Sequence, residues 1–427
     1  MADRTDNLRR ALEARREDVI ALTQALVRIP TVNPPGENYR EACELVAARL
    51  RPLGFACRFL RAEGAPGDGE RHPRWNLVAR REGRGPGPCV HFNGHVDVVE
   101  TGHGWTRDPF GGELIDGRVY GRGACDMKGG IAAAVVAVEA FLAVWPGFVG
   151  AVEISATGDE ETGGYGGVAH LAERGAFARV DHVIIPEPLN KDRVCLGHRG
   201  VWWAEVETFG RIAHGSMPFL GDSAIRHMGA ILAEMEDTLL PALAGKRTAM
   251  PVVPEAARAS TLNVNSIHGG QAERPADFTG WPSPVVADSC RMILDRRFLA
   301  EEQIEAVKAE FRATVEAARA RRPFRYEVRD MHEVLPSMTA PDAPVAAALA
   351  RAVRRALRRE AEFVVSPGTY DQKHVDRIGR LRNCVAYGPG VLDLAHQPDE
   401  YVGVDDMLDA ALVMGLALAD LLGVGEP

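Results

Sequence analysis

The sequence predicts an α/β domain interrupted by an inserted α+β segment, and three observations carry that prediction. Up to about residue 186, amphipathic helical stretches alternate with short apolar runs bounded by turn residues, the pattern of strands covered by helices. After Gly197 the alternation gives way to longer strands with two helices. The 427 residues also exceed what a single hydrophobic core usually serves. Two domains are therefore expected: residues 1–198 with 334–427, and residues 199–333 inserted between them.

The elements follow in order from periodicity and turn chemistry. Residues 11–28 and 39–53 repeat apolar positions at helical spacing and read as amphipathic helices, with strands near Ala56 and over 76–80. Helix 129–145, strand 149–157, helix 165–174 and strand 181–186 continue the alternation. In the inserted segment, strands are expected at 201–209, 260–268 and 291–298, with helices at 223–237 and 300–320. Residues 1–16 are charged and read as helix, without the apolar core of a signal peptide. No uninterrupted apolar stretch is read as long enough to span a membrane.

Composition narrows the class. Hydrophobic residues make up 46% and charged residues 26%, ordinary for a soluble globular protein. A net charge of −9, without a basic stripe interleaved with aromatics, argues against nucleic acid. Arg351, Arg354, Arg355, Arg358 and Arg359 read as a solvated helix face. The seven cysteines are scattered and odd in number, so neither a disulfide framework nor a thiolate metal site is expected, and a reducing cytoplasm is.

The chemistry concentrates at strand ends. Gly158-Asp159-Glu160-Glu161-Thr162 sets three adjacent carboxylates after the apolar run 151–157 and before Gly163-Gly164. Like charges packed together repel, so they persist at a strand end only if something positive neutralises them; a solvated acidic cluster is the alternative. In Val90-His91-Phe92-Asn93-Gly94-His95-Val96-Asp97, His95 and Asp97 fall on one strand face. A metal-binding imidazole commonly donates its second N–H to an acid, though spacing leaves open whether the Asp97 carboxylate reaches His95. Gly121-Arg122-Gly123-Ala124-Cys125-Asp126 delivers Asp126 on a glycine-flanked loop before an alanine-rich helix, without a dinucleotide or Walker pattern. Glu187 ends an apolar strand between Pro186 and Pro188, and His396 follows far downstream in Ala395-His396-Gln397-Pro398-Asp399-Glu400. Imidazole and carboxylate without thiolate suit zinc, cobalt or manganese.

These motifs, in this order over nearly the whole chain, resemble the metallopeptidase-type amidohydrolases that include acetylornithine deacetylase, succinyl-diaminopimelate desuccinylase, aminoacylase and carboxypeptidase G. The resemblance implies a catalytic domain with a mixed central sheet flanked by helices, and an inserted lid that also forms a homodimer contact. It implies two divalent ions, zinc foremost, with Asp126 bridging. His95 and Glu187 would complete one shell, and Glu161 and His396 the other. Asp97 would orient His95, and Glu160 would be the general base for attack by an activated water. In Gly210-Arg211-Ile212-Ala213-His214, the resemblance assigns His214 to the partner subunit's active site as an oxyanion donor. Within Ile293-Leu294-Asp295-Arg296-Arg297-Phe298, it selects Arg297 as the grip on a substrate carboxylate, leaving Arg296 as a surface charge. Asn263 is a weaker candidate for the same pocket.

Two departures from the family touch substrate choice: an insertion over 273–282, and Pro367-Gly368-Thr369-Tyr370-Asp371-Gln372-Lys373 in place of a Gly-Thr-Asp-Ala-Arg-like run. The expected function is hydrolysis of an N-acylated amino acid or related small amine. The alternatives are a dipeptidase or carboxypeptidase, an N-formyl or aromatic-amine hydrolase, and, more remotely, a catalytically silent metal-binding scaffold.

Overall fold

The computed structural model describes residues 4–270, 279, 281 and 283–424. It divides into two compact units: Met1–Gly197 with Met338–Val364 and Tyr370–Pro427, and His198–Ser337 with Val365–Thr369.

The first unit is built on a mixed sheet running Ala56–Arg61, Trp75–Glu82, Ala151–Thr157, Cys89–His95, His182–Ile185, Cys384–Ala386, Arg193–His198. Cys89–His95 is parallel to both Ala151–Thr157 and His182–Ile185, whereas the two outer strands on one side pair antiparallel. Every residue of Cys89–His95 and Ala151–Thr157 is buried, as expected for strands covered on both faces. Register then positions the chemistry. His95 lies opposite Thr157, and Phe92 opposite Ile184, so the segments carrying His95, Asp159 to Glu161 and Glu187 leave the sheet at one edge. In parallel sheets this carboxyl edge is where ligands collect.

The helix Gly129–Val144 fills the core beneath that edge, packed by Arg4–Glu13, Arg16–Val27 and Val404–Leu421. Ala124–Val144 has the length and mean hydropathy (1.8) of a spanning segment, although Asp126, Lys128 and Glu139 interrupt its apolar run. Its apolar character has another cause: 89% of that window is buried inside the protein, so it is apolar all round because it is a central core helix.

Two expected helices differ. Residues 11–28 lie in two helices, Arg4–Glu13 and Arg16–Val27, separated at Ala14–Arg15; Leu8 and Leu12 bury one face, while Val19, Ile20, Leu22, Leu26 and Val27 bury another. Residues 165–174 form a wide turn, Tyr165–Ala169, and only a short helix, His170–Glu173. The close approach of Gly167 to the strand end is responsible, since a Cβ there would lie 1.9 Å from the Gly158 carbonyl oxygen.

The second unit is an antiparallel sheet ordered Thr261–Gly269, Ser289–Phe298, Gly200–Phe209, Arg325–Val334. Trp202, Ala204, Val206, Met292 and Leu294 share one hydrophobic core with Met228 and Ile231 of Ala224–Glu234 and Phe311 and Val315 of Ile304–Arg321.

Two glycines give a paired test of this packing. A Cβ on Gly130 would stand 1.9 Å from the Pro186 carbonyl oxygen, so the core helix and the strand end bearing Glu187 must separate to admit it. Gly130→Ala is expected to destabilise by about 2 kcal/mol in urea unfolding. Gly229, in the helix Ala224–Glu234, has nothing within 4 Å of its would-be Cβ, and Gly229→Ala should stabilise by about 0.5–1 kcal/mol.

Candidate active site

His95, Asp126 and Glu187 offer ligand atoms that all lie within 4.8 Å of one another, as do those of Asp126, Glu161 and His396. The two groups share Asp126. His95 Nε2 is 3.2 Å from Asp126 Oδ1 and 3.9 Å from Glu187 Oε1. His396 Nε2 is 3.2 Å from a Glu161 carboxylate oxygen and 3.5 Å from Asp126 Oδ2.

Electrostatics show what such crowding costs. Burial opposes ionisation at Asp126, but hydrogen bonds from His396 and His95 outweigh it and hold this carboxyl well below its ordinary range. Burial, joined by repulsion from Asp126, pushes Glu161 up to about 7 and Glu187 well above the ordinary carboxyl value. Hydrogen bonds to Asp126 and Glu161 draw His396 up to about 10. Carboxylates this close and this dry favour a bound cation over their own protons at neutral pH.

Asp97 is where the structure departs most from the expected geometry. The strand ends at His95, so Asp97 lies beyond it, and its backbone carbonyl accepts from His95 Nδ1 at 3.0 Å. With a cation bound, the donated Nδ1–H would leave the Nε2 lone pair free for it. The Asp97 carboxylate stands 3.5 Å from Nδ1 and accepts from the backbone N–H groups of Glu160 (3.2 Å) and Glu161 (3.1 Å) and from Asn33 Nδ2 (3.0 Å). One residue thus fixes both an imidazole and the turn carrying the two glutamates.

That turn reverses direction through left-handed residues. Asp159 has φ +63°, and Gly163 and Gly164 have φ +109° and +79°. Asp159 does not face the ligand groups. Arg74 Nε donates to it at 3.0 Å and Tyr39 Oη at 3.0 Å, and burial pushes its carboxyl up to about 6. Glu160 joins neither ligand group but lies close enough to Glu187 to repel it, and Lys373 Nζ is 2.7 Å from its Oε1. The loop bearing Asp126 is anchored by Glu400, whose Oε1 accepts from the N–H groups of Cys125 (2.9 Å) and Asp126 (3.0 Å) while Oε2 takes a 2.5 Å bond from Arg122. Arg122 also donates to the carbonyl of His396 at 3.2 Å, tying the two distant loops together.

Sequence reasoning missed Asn33, Arg74, Arg122, Lys373 and Glu400 as supports. The signal was present for three of them: Arg122 and Glu400 are charged residues within the motifs that carry Asp126 and His396, and Lys373 ends the run 367–373 that departs from the family.

The remaining candidates lie in the second unit. His214 is exposed, and its Nδ1 accepts from Ser216 N at 3.1 Å and lies 2.7 Å from Ser216 Oγ. Arg297 is held bidentately by Asp295 at 2.8 and 2.9 Å. Asn263 pairs in register with Asp295, and Thr261 with Arg297, so Asn263, Asp295 and Arg297 share a sheet face. Arg296, read as a surface charge, is instead 2% exposed and donates to Glu302 at 2.9 Å. The opposite sheet face is the helix-covered one, so this arginine had to bring a partly buried acid with it. The insertion over 273–282 lies outside the described residues except for Thr279 and Trp281.

The comparisons agree with one another. Residues 91–420 match the model of Peptidase family M20/M25/M40. The chain is 34% identical over 409 residues to a succinyl-diaminopimelate desuccinylase of Rhodospirillum rubrum, covering 91% of this chain and 95% of that protein. A Rhodospirillum centenum protein of the same description is 32% identical, covering 96% and 99%. The fold is similar to human carnosine dipeptidase 1, with TM-score 0.78, 18% identity and coverage of 98% and 99%. It is also similar to a dinuclear metal-binding M20 peptidase of Bacillus subtilis, with TM-score 0.66, 15% identity and coverage of 96% and 99%. The chain belongs to Peptidase family M20/M25/M40, as a hydrolase of amide C–N bonds.

Proposed function

We propose that the protein deacylates an N-acylated amino acid or similar small amine carrying a carboxylate, using Glu160 for proton transfer and two divalent ions. One observation supports this above the others. Among the described residues, the acids around Asp126 fall into three groups by partner, and in one of them Asp97 and Asp371 are held by amide donors. Asp159, Glu400 and Glu160 each face a cation, namely Arg74, Arg122 and Lys373. Asp126, Glu161 and Glu187 form no ion pair with lysine or arginine and converge with His95 and His396. His95, Asp126 and Glu187 would hold one ion, and Asp126, Glu161 and His396 the other. Such imidazole and carboxylate donors fit zinc first, with cobalt or manganese as alternatives.

Bound there, the ions would supply acidification of a water and polarisation of the scissile carbonyl. Glu160 takes the proton of the attacking water and delivers it to the amine nitrogen as the C–N bond breaks. Asp97 keeps His95 and the glutamate turn in register for that exchange. Arg297 would grip the substrate carboxylate, beside Asn263, and His214 would serve the partner's site in a homodimer as an oxyanion donor. The relatives described as desuccinylases, above 30% identity, favour deacylation over dipeptide cleavage. All seven cysteines are free, which suits the reducing cytoplasm proposed for it. Screening N-acetyl, N-succinyl, N-formyl and N-carbamoyl amines and dipeptides with zinc, cobalt or manganese identifies the acyl group; cleavage of dipeptides alone would reject the deacylase reading.

Three further outcomes follow. Glu160→Gln should lower kcat by about 10³-fold or more with metal content retained, whereas Glu161→Gln should lose metal; equal metal loss in the two variants would reject this division of roles. Titrating zinc into stripped enzyme should saturate at two ions per chain, and saturation at one, with no second site in metal-soaked crystals, would contradict the shared Asp126. His214→Ala should lower kcat and kcat/KM together with little change in KM. Mixed with Glu160→Gln subunits it should regain activity as subunits exchange, because one site of each mixed dimer is then complete. Verified mixed dimers that stay inactive would remove His214 from the partner's site.

A further inference from the structure

Glu160 and Glu161 are neighbours on one short turn, yet only Glu161 joins a ligand group. A second glutamate this close to two ion positions is a competing ligand, and a carboxylate that ligates cannot also carry a proton. Something has to keep it out.

We propose that Lys373 is the positioning residue of Glu160, engaging its carboxylate so that Glu161 alone ligates. The Nζ to Oε1 distance is 2.7 Å, and the side chains are 3% and 10% exposed. An ammonium buried to that degree is stable only with its anion held against it, so the pair restrains Glu160 as firmly as Lys373 itself is restrained.

Lys373 is restrained at several points. It lies in the helix Gln372–Arg377, which is tied to the sheet and to the glutamate turn: Asp371, just before the helix, accepts at Oδ2 from Asn93 Nδ2 at 2.7 Å, and His374 Nε2 is 2.6 Å from the Gly163 carbonyl oxygen. Gln372 Nε2 donates to the carbonyls of Leu196 (3.1 Å) and Cys384 (2.8 Å). Asn93 in turn ends a buried chain across the sheet. Ser155 Oγ donates to its Oδ1 at 2.7 Å, His91 Nε2 is 2.7 Å from that hydroxyl, Glu153 is 2.9 Å from His91 Nδ1, and Arg80 donates to Glu153 at 2.8 Å. Polar groups without partners are costly in a dry core, so this chain fixes Asn93, hence Asp371, hence the start of the helix that presents Lys373.

The catalytic consequence rests on the proposed proton-transfer role of Glu160, but the exclusion of Glu160 from the ligand set does not. The test separates the two. Stripped enzyme reconstituted with cobalt(II) alone reports ligand number, because visible d–d absorption weakens as coordination number rises. Lys373→Met should release Glu160 onto an ion and lose visible absorbance per cobalt. The double variant Lys373→Met/Glu160→Gln should return the wild-type spectrum. An unchanged spectrum in folded Lys373→Met, or an altered one that the double variant fails to restore, would overturn the proposal. If Lys373→Met does not fold, Lys373→Gln, which keeps a donor without the charge, gives the same comparison. With the N-acyl panel compound cleaved fastest, Lys373→Met should lower kcat by about 100-fold with KM within about threefold, and Lys373→Arg should recover about tenfold of that loss. A rise in KM at constant kcat would instead make Lys373 a substrate anchor and overturn the positioning role. Full turnover by Glu160→Gln would reject the proton-transfer reading while leaving the cobalt comparison intact.

Discussion

The dominant constraint in this protein is the burial of several carboxylates around Asp126. Removing such charges from water is costly, and placing them beside one another adds repulsion. The fold meets this cost in two ways. Three acids outside the ligand groups each receive a cation, Arg74 for Asp159, Arg122 for Glu400 and Lys373 for Glu160, and Asp97 is held by backbone amides and Asn33. Acids that face the centre are left with imidazoles alone. The arrangement leaves the charge of Asp126, Glu161 and Glu187 for a ligand, and it accounts for the burial of Arg74 and Arg122.

The sheet supplies the convergence. Parallel pairing of Cys89–His95 with Ala151–Thr157 and His182–Ile185 brings three chain segments out at one edge, which sequence separation alone would not do. Loops then have to be held to within a hydrogen bond's tolerance, and backbone amides do much of that work. Asp97 holds two at the glutamate turn, and Glu400 holds two at the Asp126 loop. Each is a charge-assisted bond in a buried place, stronger than its neutral counterpart and costly to break. The supports are thus as constrained as the ligand-type residues they position.

The second unit obeys a different rule. Its sheet is covered by helices on one face, so successive residues of Ser289–Phe298 alternate between the core and the other face. Arg297 and Asp295 fall on the uncovered face and pair there, while Arg296 is forced inward and meets Glu302. Two adjacent arginines therefore have opposite environments for a purely geometric reason.

The sequence alone was enough to establish the α/β class, the family and amide hydrolysis, because each is written locally: helical and strand periodicity, and carboxylates and histidines at the ends of apolar runs next to glycine and proline. Partner choice was decided only by tertiary structure. That the Asp97 carboxylate would hold the Glu160 and Glu161 amides, that Lys373 would meet Glu160 from 213 residues away, and that Arg296 would be buried are outcomes of which surfaces the sheet and helices bring together. The same holds for the break between Arg4–Glu13 and Arg16–Val27, where two faces had to be buried in place of one. A side chain's type records what it can bond to, but its partner depends on long-range packing, which local spacing along the chain does not encode.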